Sequence, residues 1–221
     1  DAFEQVLDSG KTWRQPLAMI VGPTAKPTIV RPTGAIDIVG IRIQPWAAAS
    51  LLGVSIATLR DKCVALEKVV GPPLAALRLR LLDCAEDHRS EVIRQVIAEA
   101  PPVESSGVAR LAVQLISEAR VSLTVREIAE RLGRATRTVQ RAFEDDVGLS
   151  PKTLLRIIRV QRAMALAMED PSMRWSMIAQ RSGFSDQSHF VRDFKALVGC
   201  KPSEFRPDAE SLTASFVNQP A

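Results

Sequence analysis

The sequence predicts an α+β first half of few strands plus helices, followed by an all-α second half built from two copies of one helical unit. Three observations predict this. β-branched runs broken by Gly and Pro occur only early in the chain, whereas from Val108 onward apolar residues recur three and four apart. Between the halves, Ala100–Gly107 combines two prolines with small polar residues, the composition of an exposed linker. Within the second half, residues repeat at fixed offsets of 50 and 51.

The chain has 221 residues, 46% of them hydrophobic and 24% charged, enough apolar content for one large or two modest cores. No tract has the bias of a disordered, collagen-like or coiled-coil chain. No apolar stretch approaches the ~18 residues of a membrane span. The chain opens at Asp1 without a basic, apolar leader, so nothing points to secretion. Cys63, Cys84 and Cys200 are widely and oddly spaced, which suits a reducing cytosol better than a disulfide framework or a zinc site; they are expected to be buried small hydrophobes. The net charge of +4 lies wholly in the second half. Residues 1–104 carry 12 basic and 12 acidic side chains, residues 105–221 carry 17 and 13, and the acidic count falls to 11 without the tail after Arg206. A modest basic excess of this kind suits nucleic acid, although a solvated surface is its commoner meaning.

In the first half, Leu17–Val21, Thr28–Val30 and Ile36–Ile43 read as three strands separated by Gly22-Pro23 and Pro32-Thr33-Gly34. From Trp46 the pattern turns helical and ends in Leu74–Cys84 and Ser90–Glu99. Three strands are few for a free-standing sheet, so partner strands are expected to precede Asp1. Ala48–Arg60 spells a helix, a glycine turn at Gly53 and a second helix, but its outer face offers only Ile56 and Ala57. A surface so poor in donors reads base edges badly, and packing against the sheet is the better expectation.

In the second half, Ile128-Ala129 and Gly133 recur as Ile178-Ala179 and Gly183. Val139, Arg141, Phe143, Gly148 and Pro151 recur as Phe190, Arg192, Phe194, Gly199 and Pro202. Each copy has the punctuation of a helix-turn-helix, over about 124–144 and 176–195. In the first, Thr124 and Glu127 form a capping box, Gly133 ends the helix, and a second helix runs from about Thr136 to Glu144. Val139 and Phe143 face inward, which leaves Arg137, Gln140 and Arg141 outward. In the second, a helix over roughly Met177–Arg181 precedes Gly183, and Ser185 or Asp186 caps a helix reaching Lys195. Phe190 and Phe194 face inward there, with Gln187, Ser188, His189 and Arg192 as the outer candidates. Arginine bonds guanine bidentately and glutamine bonds adenine, so such faces suit the major groove. An intramolecular ion pair is the alternative for Arg141 and Arg192, because Asp145, Asp146 and Asp193 are near. A helix over about 151–168, ~27 Å long, joins the copies and could hold them in successive grooves.

Gly183-Phe-Ser-Asp-Gln-Ser-His-Phe190, with Arg192, Phe194, Gly199, Pro202 and Phe205-Arg206, resembles the C-terminal signature of AraC/XylS-type bacterial transcription regulators. Arg137-Thr-Val-Gln-Arg141, Phe143 and Gly148-Leu-Ser-Pro151 are similar to the family's first motif, and the likeness covers about 108–206. It implies two helix-turn-helix subdomains on a connecting helix, binding of double-stranded DNA at asymmetric sites, and activation through RNA polymerase. The family's base-facing positions fall on Arg137, Gln140 and Arg141, and on Gln187, Ser188, His189 and Arg192. The sequence departs from the family at Ala135, often a capping Ser: either Thr136 takes over the cap or the helix end is weakened by a few tenths to about 1–2 kcal/mol. Val21-Gly22-Pro23, Ile38–Pro45, Ala47–Gly53 and Leu66-Glu67 resemble the tail of a sensory domain found ahead of such modules.

The expected organisation is therefore a regulatory domain over 1–100, a linker over 101–107, a DNA-binding domain over 108–206 and a tail over 207–221. The expected function is an effector-modulated, sequence-specific transcription regulator, cytoplasmic and nucleoid-associated, with no cofactor and no membrane partner. The effector is a small molecule of unassigned identity. Leu74–Cys84 and Ser90–Glu99 could supply a homodimer seam, with core packing as the default. A repair methyl-acceptor enzyme carrying the same module would need an activated cysteine and a four-cysteine zinc site, which three scattered cysteines do not supply. A protein-recognition module would show no salt-dependent DNA binding.

Overall fold

A computed structural model describes residues 3–7, 9–35, 37–69, 77–99, 107–119 and 123–206. Of the expected linker over 101–107, residues 101–106 lie outside the described residues, as does the tail after Arg206, while Gly107 already opens a helix. The chain forms two compact units, one drawn mainly from residues before 107 and the other mainly from those after it.

The first unit is α+β. Strands β1 (Phe3–Val6), β2 (Thr12–Arg14) and β4 (Ile29–Pro32) form an antiparallel sheet in the order β2-β1-β4, with Gln5 opposite both Trp13 and Val30. β3 (Met19–Val21) pairs antiparallel with β5 (Cys63–Ala65), Ile20 opposite Val64. α1 (Pro45–Leu52) starts on a proline suited to the first helical turn and stops at Gly53, whose φ of 67° is left-handed. One 3₁₀ turn, Ile56–Leu59, follows. Leu52, Ile56 and Leu59 are buried together against Ile20 and Val64 of the β3–β5 pair. The apparent helix-turn-helix of the first half is thus core: its second helix is a single turn, and Ile56 points inward. Gly22 marks a close approach, because a Cβ there would penetrate the Leu59 carbonyl. α2 (Leu77–Leu82) and α3 (Arg89–Ala98) bury Leu77 and Val96, and Arg80 bonds Gln95 at 3.0 Å. Arg89 grips Asp37 with two bonds of 2.7 and 2.8 Å and holds its carboxyl below the ordinary aspartate range.

Three expectations for this unit are corrected. Among the described residues, five short strands replace three, because pairing rather than composition picked out Phe3–Val6, Thr12–Arg14 and Cys63–Ala65. Ile36–Ile43 is not a strand among the described residues. Its β-branched residues find no partner strand, and Ile38, Val39 and Ile41 remain 39–46% exposed. Cys63 and Cys84, like Cys200 in the other unit, are half-buried rather than buried, and Cys63 rests its thiol 3.1 Å from the Met19 sulfur.

The second unit is helical throughout its described residues: α4 (Gly107–Glu118), α5 (Val125–Arg131), α6 (Thr136–Asp146), α7 (Pro151–Glu169), α8 (Trp175–Arg181) and α9 (Gln187–Val198). α4 is strongly amphipathic and buries Ala109, Ala112, Val113 and Ile116, three and four apart. α7 is an uninterrupted helix of 19 residues, begun by Pro151 and by Ser150, whose Oγ accepts from the Thr153 amide at 3.1 Å. Val160, Ala163, Met164 and Ala167 in its second half pack on Ile178, Ala179, Phe184, Phe190 and Phe194. No described helix is long and apolar enough to cross a membrane.

Candidate nucleic-acid interface

The repeat seen in the sequence is a repeat of hydrogen bonds. At the end of α5, Gly133 (φ 59°) donates to the Glu130 carbonyl and Arg134 to that of Ala129, at 3.1 and 2.9 Å. Fifty residues later, Gly183 (φ 84°) donates to Gln180 and Phe184 to Ala179, both at 3.0 Å. The same turn therefore aims α6 and α9, and glycine is required at both because its left-handed φ costs other residues.

The two candidate recognition helices, α6 and α9, differ in how they begin. Asp186 caps α9, its two carboxylate oxygens accepting from the Ser188 and His189 amides at 3.0 and 3.1 Å. At α6, the Ala135 carbonyl accepts from Thr138 and Val139 at 2.9 and 3.3 Å, which makes Ala135 the cap residue and Thr136 the first helical one. Thr136 thus does not take over the cap, and Ala135 has no side-chain acceptor to offer. Ala135→Ser should stabilise the chain by about 1 kcal/mol in urea denaturation, the usual value of restoring an N-cap hydroxyl.

The capping box of α5 is complete. Glu127 accepts from the Thr124 amide at 2.6 Å, and the Glu127 amide donates to Thr124 Oγ1 at 3.2 Å. The bond from the Thr124 backbone, and then that from its hydroxyl, hold the Glu127 carboxyl below the ordinary glutamate range. A group whose pKa is lower in the folded state contributes stability above its unfolded value and loses it as pH falls through the folded one. Glu127→Gln should therefore lower Tm at neutral and alkaline pH and converge on the wild type as pH falls through the folded-state pKa, flattening the acid side of a plot of Tm against pH.

α6 and α9 each present one buried and one exposed face. In α6, Val139, Ala142 and Phe143 are buried, while Arg137, Gln140 and Arg141 are exposed. In α9, Phe190 and Phe194 are fully buried, and Gln187, Ser188 and Arg192 are exposed. His189 sits differently from the other candidates. It is half-buried, its ring meets Phe184 edge-on at 5.8 Å, and its Nε2 lies 3.2 Å from Asp193 Oδ2. Asp193 is 5% exposed and turns toward α7, where Arg156 Nε donates to its Oδ1 at 2.9 Å and Arg159 approaches Oδ2 at 4.0 Å. Asp193, the acid beside Arg192, is thus engaged by α7 and His189.

The sequence reading missed the α7 arginines. Arg156, Arg159 and Arg162 stand three apart on one helical stripe. Arg162 donates to the Ser117 and Ile116 carbonyls at 2.9 and 3.3 Å, satisfying the end of α4, and desolvation pulls its pKa down. Arg159 lies 4.8 Å over the Phe184 ring, and there too desolvation dominates. The available signal was an acid, Asp193, at i+3 from the inward Phe190 in a helix otherwise basic outside.

These features define a double helix-turn-helix protein: two identically turned units, each with a polar helix face, on one joining helix. Residues 128–208 match the family described as Helix-turn-helix domain. Residues 3–65 match Domain of unknown function (DUF6597). The chain is 34% identical over 148 residues to the "Probable thc operon regulatory protein" of Rhodococcus erythropolis, covering 65% of this chain and 43% of that one. It is 31% identical over 90 residues to the "Msm operon regulatory protein" of Streptococcus mutans serotype c, covering 41% and 32%. The chain thus spans less than half the length of these curated relatives. Among solved structures, the C-terminal domain of AraT, a response regulator from Geobacillus stearothermophilus, is similar at 29% identity and a TM-score of 0.45, covering 48% of this chain and 90% of that one.

Proposed function

We propose that the chain is a sequence-specific, double-stranded DNA-binding transcription regulator, with α6 and α9 in successive major grooves. The observation that carries this is the pair of exposed faces, Arg137, Gln140 and Arg141 on α6 and Gln187, Ser188 and Arg192 on α9, each backed by buried phenylalanine. At 1.5 Å per residue the joining helix is about 28 Å long, close to the ~34 Å between grooves on one side of B-DNA. His189 belongs to the reading face by its sequence position and has reach through its exposed edge. Regulator-named relatives support the reading, and modulation by a small-molecule effector, contact with RNA polymerase, self-association and a nucleoid location extend it.

Selection from a randomised duplex pool at ~150 mM salt tests the proposal. Two unequal half-sites centred ~10–10.5 bp apart are expected. Binding without enrichment that vanishes steeply with added salt would reduce the faces to phosphate contact, and no binding at all would leave a protein-recognition module.

A further inference from the structure

The aromatic cluster that seats α9 is large but gives little directional control. Phe190 packs on Phe184 and Phe194 at 5.1 and 5.5 Å, and Trp175 meets Phe194 at 5.6 Å, all in edge-on or tilted arrangements. Apolar contact of this kind is nearly non-directional, and cores lose uniqueness of arrangement before they lose stability. Something directional crosses the same interface: Asp193 of α9, 5% exposed, bonded at 2.9 Å to Arg156 of α7. Arg159 lies 4.0 Å from its second oxygen, and His189 lies 3.2 Å from that oxygen without being aligned as a hydrogen bond. Burying this carboxylate carries a desolvation penalty that a hydrophobic residue of similar volume would avoid. A carboxylate on a helix that approaches phosphates is a further electrostatic cost.

We propose that Asp193 is a positioning residue of the reading surface: paired to Arg156, it fixes the rotation of α9 against α7 and so sets the pose of Gln187, Ser188 and Arg192. A charge-assisted bond has a preferred distance and direction, and the residues it would orient lie one to two turns N-terminal to Asp193 or beside it on the same helix. The three-residue stripe of α7 arginines then divides its work. Arg162 secures α4, while Arg156 and Arg159 hold α9 through Asp193.

This inference rests on the DNA-binding reading, so its test carries one measurement with DNA and one without. The full chain is compared with Asp193→Asn and with the double variant Arg156→Met/Asp193→Leu, which leaves no unpaired charge at that bond and keeps the interface apolar. Far-ultraviolet circular dichroism confirms that each is folded at the assay temperature. On duplexes enriched by the wild type, both variants should lose base preference by about tenfold or more at the half-site read by α9 and keep it at the other. They should also accept a half-site spacing changed by one base pair, which the wild type is expected to reject. Simple electrostatics predicts the opposite for Asp193→Asn, tighter binding with unchanged preferences, because a negative charge has been removed. Unchanged preference and spacing in folded variants would overturn the proposal. If the wild type itself enriches no duplex, the DNA-binding reading fails. The lock is then judged by amide residual dipolar couplings, which should show α9 reoriented relative to α7 in both variants; unchanged couplings would overturn it independently.

Discussion

Phe194→Ala is expected to cost about 3–5 kcal/mol of unfolding free energy, the range for emptying a fully buried aromatic site. Phe194 is 0% exposed and contacts Trp175, Phe190 and Phe205 with ring centroids 5.5–5.6 Å apart. Its loss opens a cavity where α7, α8 and α9 meet, and the rings around it cannot close the space without leaving their own contacts. Because domains are commonly stable by only about 5–15 kcal/mol, such a loss removes much of the reserve. Urea denaturation followed by tryptophan fluorescence, with Trp175 as a local reporter, checks it. A midpoint within error of wild type would contradict the packing described.

Arg137→Ala and Arg192→Ala should each weaken binding to the selected duplex by about 1–3 kcal/mol and relax preference at one base pair. Both side chains are exposed on helices whose opposite faces are buried, so truncation removes a contact with little effect on the fold. The two losses should fall in different half-sites and add, since the residues share no partner. Titration against the enriched duplex and its single-base variants reads this directly. An equal loss on every sequence would instead assign that arginine to phosphate.

The second unit was legible in the sequence because its information is local. Gly133 and Gly183 announce left-handed turns, Thr124 and Glu127 announce a capping box, and the spacing of Val139 and Phe143 assigns the faces of α6. The first unit was less legible because a strand is defined by its partner. Ile36–Ile43 has strand composition and, among the described residues, no strand beside residues 37–43, whereas Phe3–Val6 has ordinary composition and two. The candidate reader residues came from helical periodicity, but the environment of His189 did not, since it depends on Asp193 turning toward arginines 34 and 37 positions earlier. Ala135 lies between these cases. The absent cap was visible in the sequence, and only the hydrogen bonds show that Thr136 does not replace it.

The length of α7 is a phase as well as a distance. Adding one residue to a continuous helix moves the downstream chain by about 1.5 Å but turns it by about 100°. A single insertion between Arg156 and Arg162 would therefore swing the second helix-turn-helix to a different side of the first, and would part Arg156 from Asp193 and Arg162 from the end of α4. Seven added residues nearly restore the phase, to within about 20°, while lengthening the helix by ~10.5 Å. Descendants of this chain that keep Arg156, Arg159 and Arg162 can vary the rest of the α7 surface, but they can change its length only in steps of about two helical turns.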